Sequence, residues 1–190
     1  MITTQKTIRY LDIEKLNFVK KAMLVIVGTM VLTISAKISI PFWPVETTMQ
    51  TTALAIIGML YGSRLGVITV LLYLFEGALG MPVFTGTPLK GIGLAYMVGP
   101  TAGFLLGFIF SVYVTGYMIE RGYGRSFLSA AGVFAASAVV LYIPGLSWMT
   151  YLFSAEMACT NFIMWIPATL AKTGLGIALM LAIKSKVKCR

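Results

Sequence analysis

The segment WIPATLAKTGLGIALMLAI, residues 165–183, decides the fold class of this chain. It can cross a bilayer, because a membrane-spanning helix needs about 20 predominantly apolar residues. Its single charged residue is Lys172, and no acidic residue lies one helical turn away to neutralise it. A lysine in the middle of a membrane helix costs about 2.5–3.5 kcal/mol, so it normally faces a bundle interior and has a partner. Two interpretations follow: Lys172 binds an anionic ligand, or it lies near the helix end and snorkels to the interface.

The composition of the whole chain agrees with this segment. Of the 190 residues, 58% are hydrophobic and 11% are charged, whereas soluble domains carry about 25% charged residues. The mean hydropathy is +0.91. Because backbone groups in hydrocarbon must be satisfied within their own segment, the long apolar segments are interpreted as helices. The chain is therefore predicted to be an all-α integral membrane protein, with one membrane domain over residues 1–190.

Apolar segments separated by short polar connections predict six transmembrane helices. Residues 1–21 are predicted to form a basic cytoplasmic or interfacial lead-in, and residues 184–190 a basic cytoplasmic tail. Between them, residues 22–183 form the bundle, and Pro144-Gly145 is expected to break its fifth helix. The predicted spans are 22–40, 49–62, 65–80, 93–119, 126–148 and 155–183.

The formal charge of +9 is explained by the distribution of the basic residues. All but Lys37, Lys90 and Lys172 lie at the two chain ends or in the connections around Arg64 and Arg121 to Arg125. This is the positive-inside pattern of membrane proteins, which predicts that both termini are cytoplasmic and that no nucleic acid is bound. The chain has no histidine, so the commonest catalytic base and metal ligand is missing. Neither an enzyme nor a metal site is predicted.

Three segments between the apolar spans carry a family resemblance. They are PFWPVETTMQTT (41–52), EGALGMPVFTGTPLKGIG (76–93) and VGPTAGFLLGF (98–108). In this order and spacing they resemble the biotin-specific S component of energy-coupling factor (ECF) vitamin transporters, and the resemblance covers residues 20–183.

The resemblance implies a six-helix protein of the bacterial cytoplasmic membrane that binds biotin near its outer face. Such proteins work with an ECF transmembrane coupling subunit and two ATPase subunits. This chain has no G-x-x-x-x-G-K-[ST] motif, so ATP would be used only by the partners. No cofactor of its own is predicted.

A polar stripe on the last span is the main candidate for the ligand site. Asn161, Trp165, Thr169 and Lys172 lie within about 80° of one another on a helical wheel. Biotin combines a carboxylate, a fused bicyclic urea and a thioether, and the resemblance implies that Lys172 holds the carboxylate. The alternative is that the stripe packs and hydrogen-bonds neighbouring helices.

Further candidates come from the other spans and from the loop 81–90, which the resemblance implies covers the vitamin. A residue of the third span, Glu76, would accept hydrogen bonds from the urea, or else pair with a lysine or reach the interface. Lys90 is interpreted as solvated. The candidates outside the last span are Gln50, Tyr73, Glu76, Phe84 and Thr85.

The last span also departs from the family pattern. Biotin S components usually carry Gly-Asp-Leu-Leu-Lys here, and this chain has Ala-Thr-Leu-Ala-Lys at residues 168–172. Thr169 therefore replaces an aspartate that would balance Lys172. This leaves a related acid such as lipoate as an alternative ligand, and a non-transporting membrane assembly protein as an alternative function.

Overall fold

The computed structural model describes residues 16–124 and 126–188, and helices form most of this part of the chain. Within these ranges five helices are long and apolar enough to cross a membrane, which confirms a helical membrane fold. Arg125, most of the lead-in and the end of the tail lie outside the described residues. The helices are α1 (Phe18–Lys37), α2 (Gln50–Ala78), α3 (Gly93–Met97), α4 (Ala102–Glu120), α5 (Phe127–Leu152) and α6 (Ala155–Lys188).

The helix α2 reverses its direction at Gly62. This residue has φ 73° and ψ −177°, which interrupts the helical backbone. Gln50 Nε2 donates a hydrogen bond of 2.8 Å to the hydroxyl of Tyr73, although residues 23 apart in a straight helix are about 34 Å apart. The two arms of α2 therefore lie antiparallel, and they correspond to the two spans predicted at 49–62 and 65–80.

A carboxylate from α4 closes the turn between the two arms. Glu120 Oε1 accepts from the backbone N–H of Ser63 at 2.8 Å, and both carboxylate oxygens contact the Ser63 hydroxyl at 3.0–3.1 Å. Ser63 begins the second arm, where free N–H groups and the helix dipole favour a negative charge. The contact fixes the turn against the end of α4.

Replacing Gly62 by alanine is expected to lower the unfolding temperature in detergent by at least about 4 °C. The backbone conformation at Gly62 is essentially restricted to glycine and costs other residues about 1–3 kcal/mol. In addition, a Cβ atom there would lie 2.5 Å from Glu120 Oε1. The matched control is Gly174→Ala, because a Cβ at Gly174 meets no atom within 4 Å. Equal unfolding temperatures of the two variants would contradict the prediction.

Two predicted helix boundaries are wrong. The fourth span, predicted as one helix over 93–119, is divided into α3 and α4 by a turn at residues 98–101. Pro100 lacks a backbone N–H and disfavours helical conformation at Gly99, which explains the division.

The break predicted at Pro144-Gly145 is also wrong, since α5 continues from Phe127 to Leu152. Pro144 removes one helical hydrogen bond, but α5 packs closely on α4 at this point. A Cβ atom at Gly103 would lie only 2.3 Å from the Pro144 carbonyl oxygen. Close approach at small residues stabilises helix pairs in membranes and holds α5 in place here.

A short β-hairpin, which the all-α prediction did not include, joins α1 to α2. Its strands are β1 (Ser39–Ile40) and β2 (Thr47–Thr48), and Ser39 pairs with Thr48 in antiparallel register. The first predicted span, 22–40, therefore ends as helix at Lys37. Both threonines of β2 are buried, so this hairpin carries polar side chains into the bundle.

Candidate functional site

A cavity lies between β2, the start of α2, the loop after α2, and the helices α4, α5 and α6. Its volume, including the open mouth, is about 540 Å³. Polar groups of Thr47, Thr48 and Gln50 form one part of its wall, and aromatic side chains form most of the rest. Ligand pockets are typically concave and mostly apolar, with a few placed polar groups. We call this space the outer cavity.

The aromatic wall of the outer cavity contains Trp165 from the predicted stripe. Its ring packs edge-on against Phe104 at 5.7 Å and lies nearly parallel to Tyr142 at 6.2 Å between ring centroids. Trp165 is 2% exposed, and its Nε1 has no hydrogen-bond partner among the described residues. A buried indole N–H usually finds an acceptor, and an unpaired one costs about 1–3 kcal/mol. The geometry suits a ligand acceptor at this wall.

Lys172 lies directly behind the threonine wall. Its ammonium donates to Thr47 Oγ1 at 2.6 Å and to the Thr48 carbonyl at 3.0 Å. The residue is 7% exposed, so it does not extend to an open surface as a snorkelling lysine does. Both acceptors are neutral, and no acidic side chain in the described part of the chain forms an ion pair with it. A buried charge without a counter-charge favours an anionic ligand.

A second space, which we call the inner cavity, lies beyond the outer one. It is a narrow space of about 350 Å³ when its opening to solvent is included, and it is lined by Lys172, Thr169 and several further hydroxyl side chains. The Thr169 hydroxyl is 2.9 Å from the hydroxyl of Tyr142. Thr169 therefore pairs with a neutral group of α5, and the charge of Lys172 stays unbalanced on this side as well.

The loop 81–92 covers the outer cavity through Phe84 and Thr85. Phe84 is 1% exposed, stacks on Tyr96 with 4.8 Å between centroids, and meets Tyr73 edge-on at 5.5 Å. Both Phe84 and Thr85 line the cavity. Burial raises the pKa of Tyr96 to about 12, so its hydroxyl is neutral at physiological pH.

Ionic and polar contacts hold this loop in place. Lys37, at the end of α1, donates to the Phe84 carbonyl at 2.8 Å and to the Thr87 hydroxyl at 3.0 Å. Glu46 accepts from Thr85 at 2.8 Å and forms an ion pair with Lys90. Lys90 was expected to be solvated, and its side chain is 47% exposed although it is paired.

Two of the remaining predicted residues, Gln50 and Tyr73, are hydrogen-bonded to each other beside the cavity. Tyr73 is fully buried. It accepts from Gln50 and donates to the Val83 carbonyl at 3.0 Å, which ties α2 to the covering loop. Gln50 lines the outer cavity, whereas Tyr73 lies behind Phe84.

Glu76 and Asn161 do not line either cavity. Glu76 accepts a hydrogen bond from Thr29 of α1 at 3.1 Å. This partner differs from the lysine and from the membrane interface, which were the two alternatives to a ligand contact. Asn161 donates to the Met157 carbonyl at 3.0 Å, while its Oδ1 has no partner in the described residues. Asn161 is one turn from Trp165, so the two unpaired polar groups lie on the same face of α6.

Sequence reasoning missed several residues of the outer cavity. Thr101 and Phe104 fall within the segment 98–108, which carries part of the family resemblance but from which no individual site residue is predicted. Tyr142 lines both cavities and carried no signal in the sequence. A tyrosine in an apolar span is normally interpreted as a packed or interfacial aromatic residue.

The sequence model of the BioY family matches residues 4–189. The chain belongs to the BioY family. Among relatives in this family, the biotin transporter BioY of Rhizobium etli is 41% identical over 119 residues, covering 59% of this chain and 62% of that protein. The match therefore spans less than two thirds of that relative. The probable biotin transporter BioY of Pyrococcus horikoshii is 32% identical over 130 residues, covering 68% of this chain and 74% of that protein.

A solved structure shows the same fold as this BioY protein. It is the S component for biotin from an ECF-type ABC transporter, with a TM-score of 0.76. The comparison covers 92% of this chain and 94% of the other, at 21% sequence identity. The helical arrangement is therefore that of an ECF S component.

Proposed function

We propose that this BioY protein is a membrane-embedded subunit that binds biotin for uptake, and that it is not an enzyme. One observation carries the proposal: the buried ammonium of Lys172, without a counter-charge, stands at the polar wall of an aromatic cavity. The names of the BioY relatives support biotin as the ligand.

The chemistry of biotin matches the two kinds of wall. Its carboxylate supplies the counter-charge that Lys172 lacks, because the present acceptors on Thr47 and Thr48 are both neutral. Its fused rings pack against Phe104 and Trp165, and the indole N–H donates to a carbonyl or sulfur of the ligand. The polar wall therefore binds the charged part of biotin, and the aromatic wall packs against its apolar part.

The proposed topology has six spans, with both termini cytoplasmic in a bacterial inner membrane. It treats the two arms of α2 as separate crossings, because the chain reverses at Gly62. Arg64 and Arg121 then lie at the same end of the bundle, and the outer cavity opens at the opposite end. A positively charged inner side agrees with this orientation.

We also propose that uptake is energised by ECF partners, namely a transmembrane coupling subunit and two ATPase subunits. The S-component fold supports this assembly. The ATP would be bound by the partners, because this chain has no phosphate-binding P-loop motif.

The test is binding of radiolabelled biotin to the purified protein, with competition by unlabelled lipoate. Saturable biotin binding that excess lipoate does not displace would support the proposal. Preferential binding of lipoate would replace biotin as the ligand, an alternative favoured by Thr169 at the position of the usual acid. If neither acid bound, the transport function would be refuted and a membrane assembly role would remain.

The Glu46–Lys90 ion pair is expected to slow the release of biotin. Burial alone would raise the pKa of Glu46, but hydrogen bonds from Lys90, Ser39 and Thr85 and the charge of Lys90 lower it below its usual value. The ion pair is therefore complete at neutral pH and is lost as the pH falls through this lowered value.

Glu46→Gln should release biotin roughly threefold faster at pH 7, a modest effect because Lys90 is half exposed. As the pH falls through the lowered pKa of Glu46, the release rate of the unmodified protein should rise towards that of the variant, which should stay nearly constant. Stopped-flow displacement of a fluorescent biotin measures both rates. Glu156→Gln, at an exposed position of α6, is the matched control. Equal acid acceleration in both variants would contradict the role of Glu46.

A further inference from the structure

The covering loop is attached to α1 as well as to the cavity below it. Lys37, in the last turn of α1, donates to the Phe84 carbonyl at 2.8 Å and to the Thr87 hydroxyl at 3.0 Å. The Thr87 hydroxyl in turn donates to the same Phe84 carbonyl at 2.6 Å. These three groups form a closed hydrogen-bonded triangle. One side chain of α1 therefore holds the backbone of the loop at the residue whose ring covers the outer cavity.

The contacts of Lys37 position the loop and are not needed by the helix that carries it. In the described part of the chain every hydrogen-bond acceptor of Lys37 belongs to the covering loop, and none is acidic. A lysine in the last turn also interacts favourably with the helix dipole, but an ammonium in solvent does this equally well. Bonds from a charged donor are stronger than bonds between neutral groups, so the attachment of the loop is substantial.

Helix α1 is itself attached to the bundle along one side. Among the described helices it packs extensively only on α2, and at Gly28 the approach is so close that a Cβ atom would lie 2.5 Å from Thr69 Cγ2. Thr69 has little room to turn aside, because it is fully buried and its hydroxyl donates to the Leu65 carbonyl at 2.9 Å. Gly28 is nine residues before Lys37, which is about 14 Å of helix. A displacement of α1 at Gly28 is therefore carried along the helix to Lys37.

We propose that Lys37 is a positioning residue that holds Phe84 over the bound ligand, and that through it the covering loop follows the position of α1. This inference rests on the proposed function, because it takes biotin as the ligand. When Lys37 keeps its bonds, the Phe84 ring closes the outer cavity. When α1 moves away from α2, Lys37 pulls on the Phe84 carbonyl, the ring withdraws from the ligand, and release becomes faster.

The first experiment measures release of a fluorescent biotin from the purified full-length protein by stopped-flow displacement. Lys37→Met should release it about fivefold faster, within the range of about 2- to 12-fold that one hydrogen bond contributes. Lys37→Arg retains a charged donor and should restore a rate within about twofold of the unmodified protein. Lys20→Met, at an exposed position in the first turn of the same helix, is the matched control and should leave the rate unchanged. The unfolding temperature of Lys37→Met without ligand should stay within about 2 °C of the control, because only the loop is released.

The second experiment tests whether α1 acts through Lys37. Gly28→Ala overpacks the contact with α2 and pushes α1 outward, so it should speed release by about threefold in the unmodified background. In the Lys37→Met background it should change the rate by less than about 1.5-fold, because residues that act through one contact are not additive. Should Gly28→Ala not fold, Thr29→Val takes its place, since it removes the hydrogen bond between α1 and Glu76.

The outcomes separate this inference from the proposed function. If the unmodified protein binds no biotin, the proposed function fails and this inference fails with it. If biotin binds but Lys37→Met releases it within about 1.5-fold of the unmodified rate, only the inference is overturned. Release from Lys37→Arg as fast as from Lys37→Met would exclude the hydrogen bonds as the cause. An equal acceleration by the α1 variant in both backgrounds would show that α1 does not control the loop through Lys37.

Discussion

Replacing Lys172 by methionine is expected to weaken biotin binding by at least about 30-fold. The ammonium is buried, so the bond that it makes to the carboxylate is not screened by water. Losing one partner of a buried charged pair costs about 2–5 kcal/mol, which includes the cost of leaving the carboxylate unpaired. Methionine keeps most of the length of the side chain, and the change therefore removes charge with little loss of volume.

Biotinamide distinguishes the charge from other consequences of the substitution. Lys172→Met also leaves Thr47 and the Thr48 carbonyl without their donor, and this cost falls equally on every ligand. Biotinamide lacks the carboxylate, so its affinity should fall much less than that of biotin. Titration calorimetry with both ligands gives the two ratios.

Lys90→Met is the matched control for this experiment. It also removes a lysine charge near the cavity, but the lysine is paired with Glu46 at the outer rim. The substitution should change the affinities for biotin and for biotinamide only slightly and by nearly the same factor. Equal losses of both ligands in Lys172→Met would show that Lys172 supports the wall and does not bind the acid.

The stripe on α6 shows how much of this site the sequence alone predicts. Helical periodicity brings Asn161, Trp165, Thr169 and Lys172 to one face, and the structure buries three of them while their neighbours at 162–164 and 170–171 are exposed. A single helix obeys a fixed period, so its inward face can be identified without knowing its neighbours. What the stripe contacts depends on other segments.

Those contacts could not be predicted from local pattern. Lys172 meets Thr47 and Thr48, more than 120 residues earlier in the chain, in a hairpin whose two-residue strands are too short for strand periodicity. Thr169 pairs with Tyr142, an aromatic residue in an apolar span. The direction of Glu76 towards Thr29 follows from how α1 crosses α2. Such pairings depend on tertiary packing, and the periodicity of one segment does not show which other segments it contacts.

Replacing Gly77 by alanine is expected to weaken biotin binding by about 10-fold or more, through the covering loop. A Cβ atom at Gly77 would lie 2.0 Å from Cζ and 2.3 Å from Cε2 of Phe84. The Phe84 ring has no free space to move into, because it is 1% exposed and lies between Tyr73 and Tyr96. Overpacking of this kind costs about 1–3 kcal/mol, which is released if the loop moves outward.

That movement of the loop would lower the affinity for the ligand, and it would change the stability of the helix bundle only weakly. Phe84 lines the outer cavity, so its displacement opens the cover and removes an aromatic contact with the bound rings. Gly132→Ala is the control, since its Cβ would meet no atom within 4 Å; it should keep full affinity. Calorimetry should show the loss of affinity in Gly77→Ala, while its unfolding temperature in detergent without ligand stays close to that of the control. A large drop in that temperature would mean instead that Gly77 matters for packing of the bundle, because the substitution would then destabilise α2 itself.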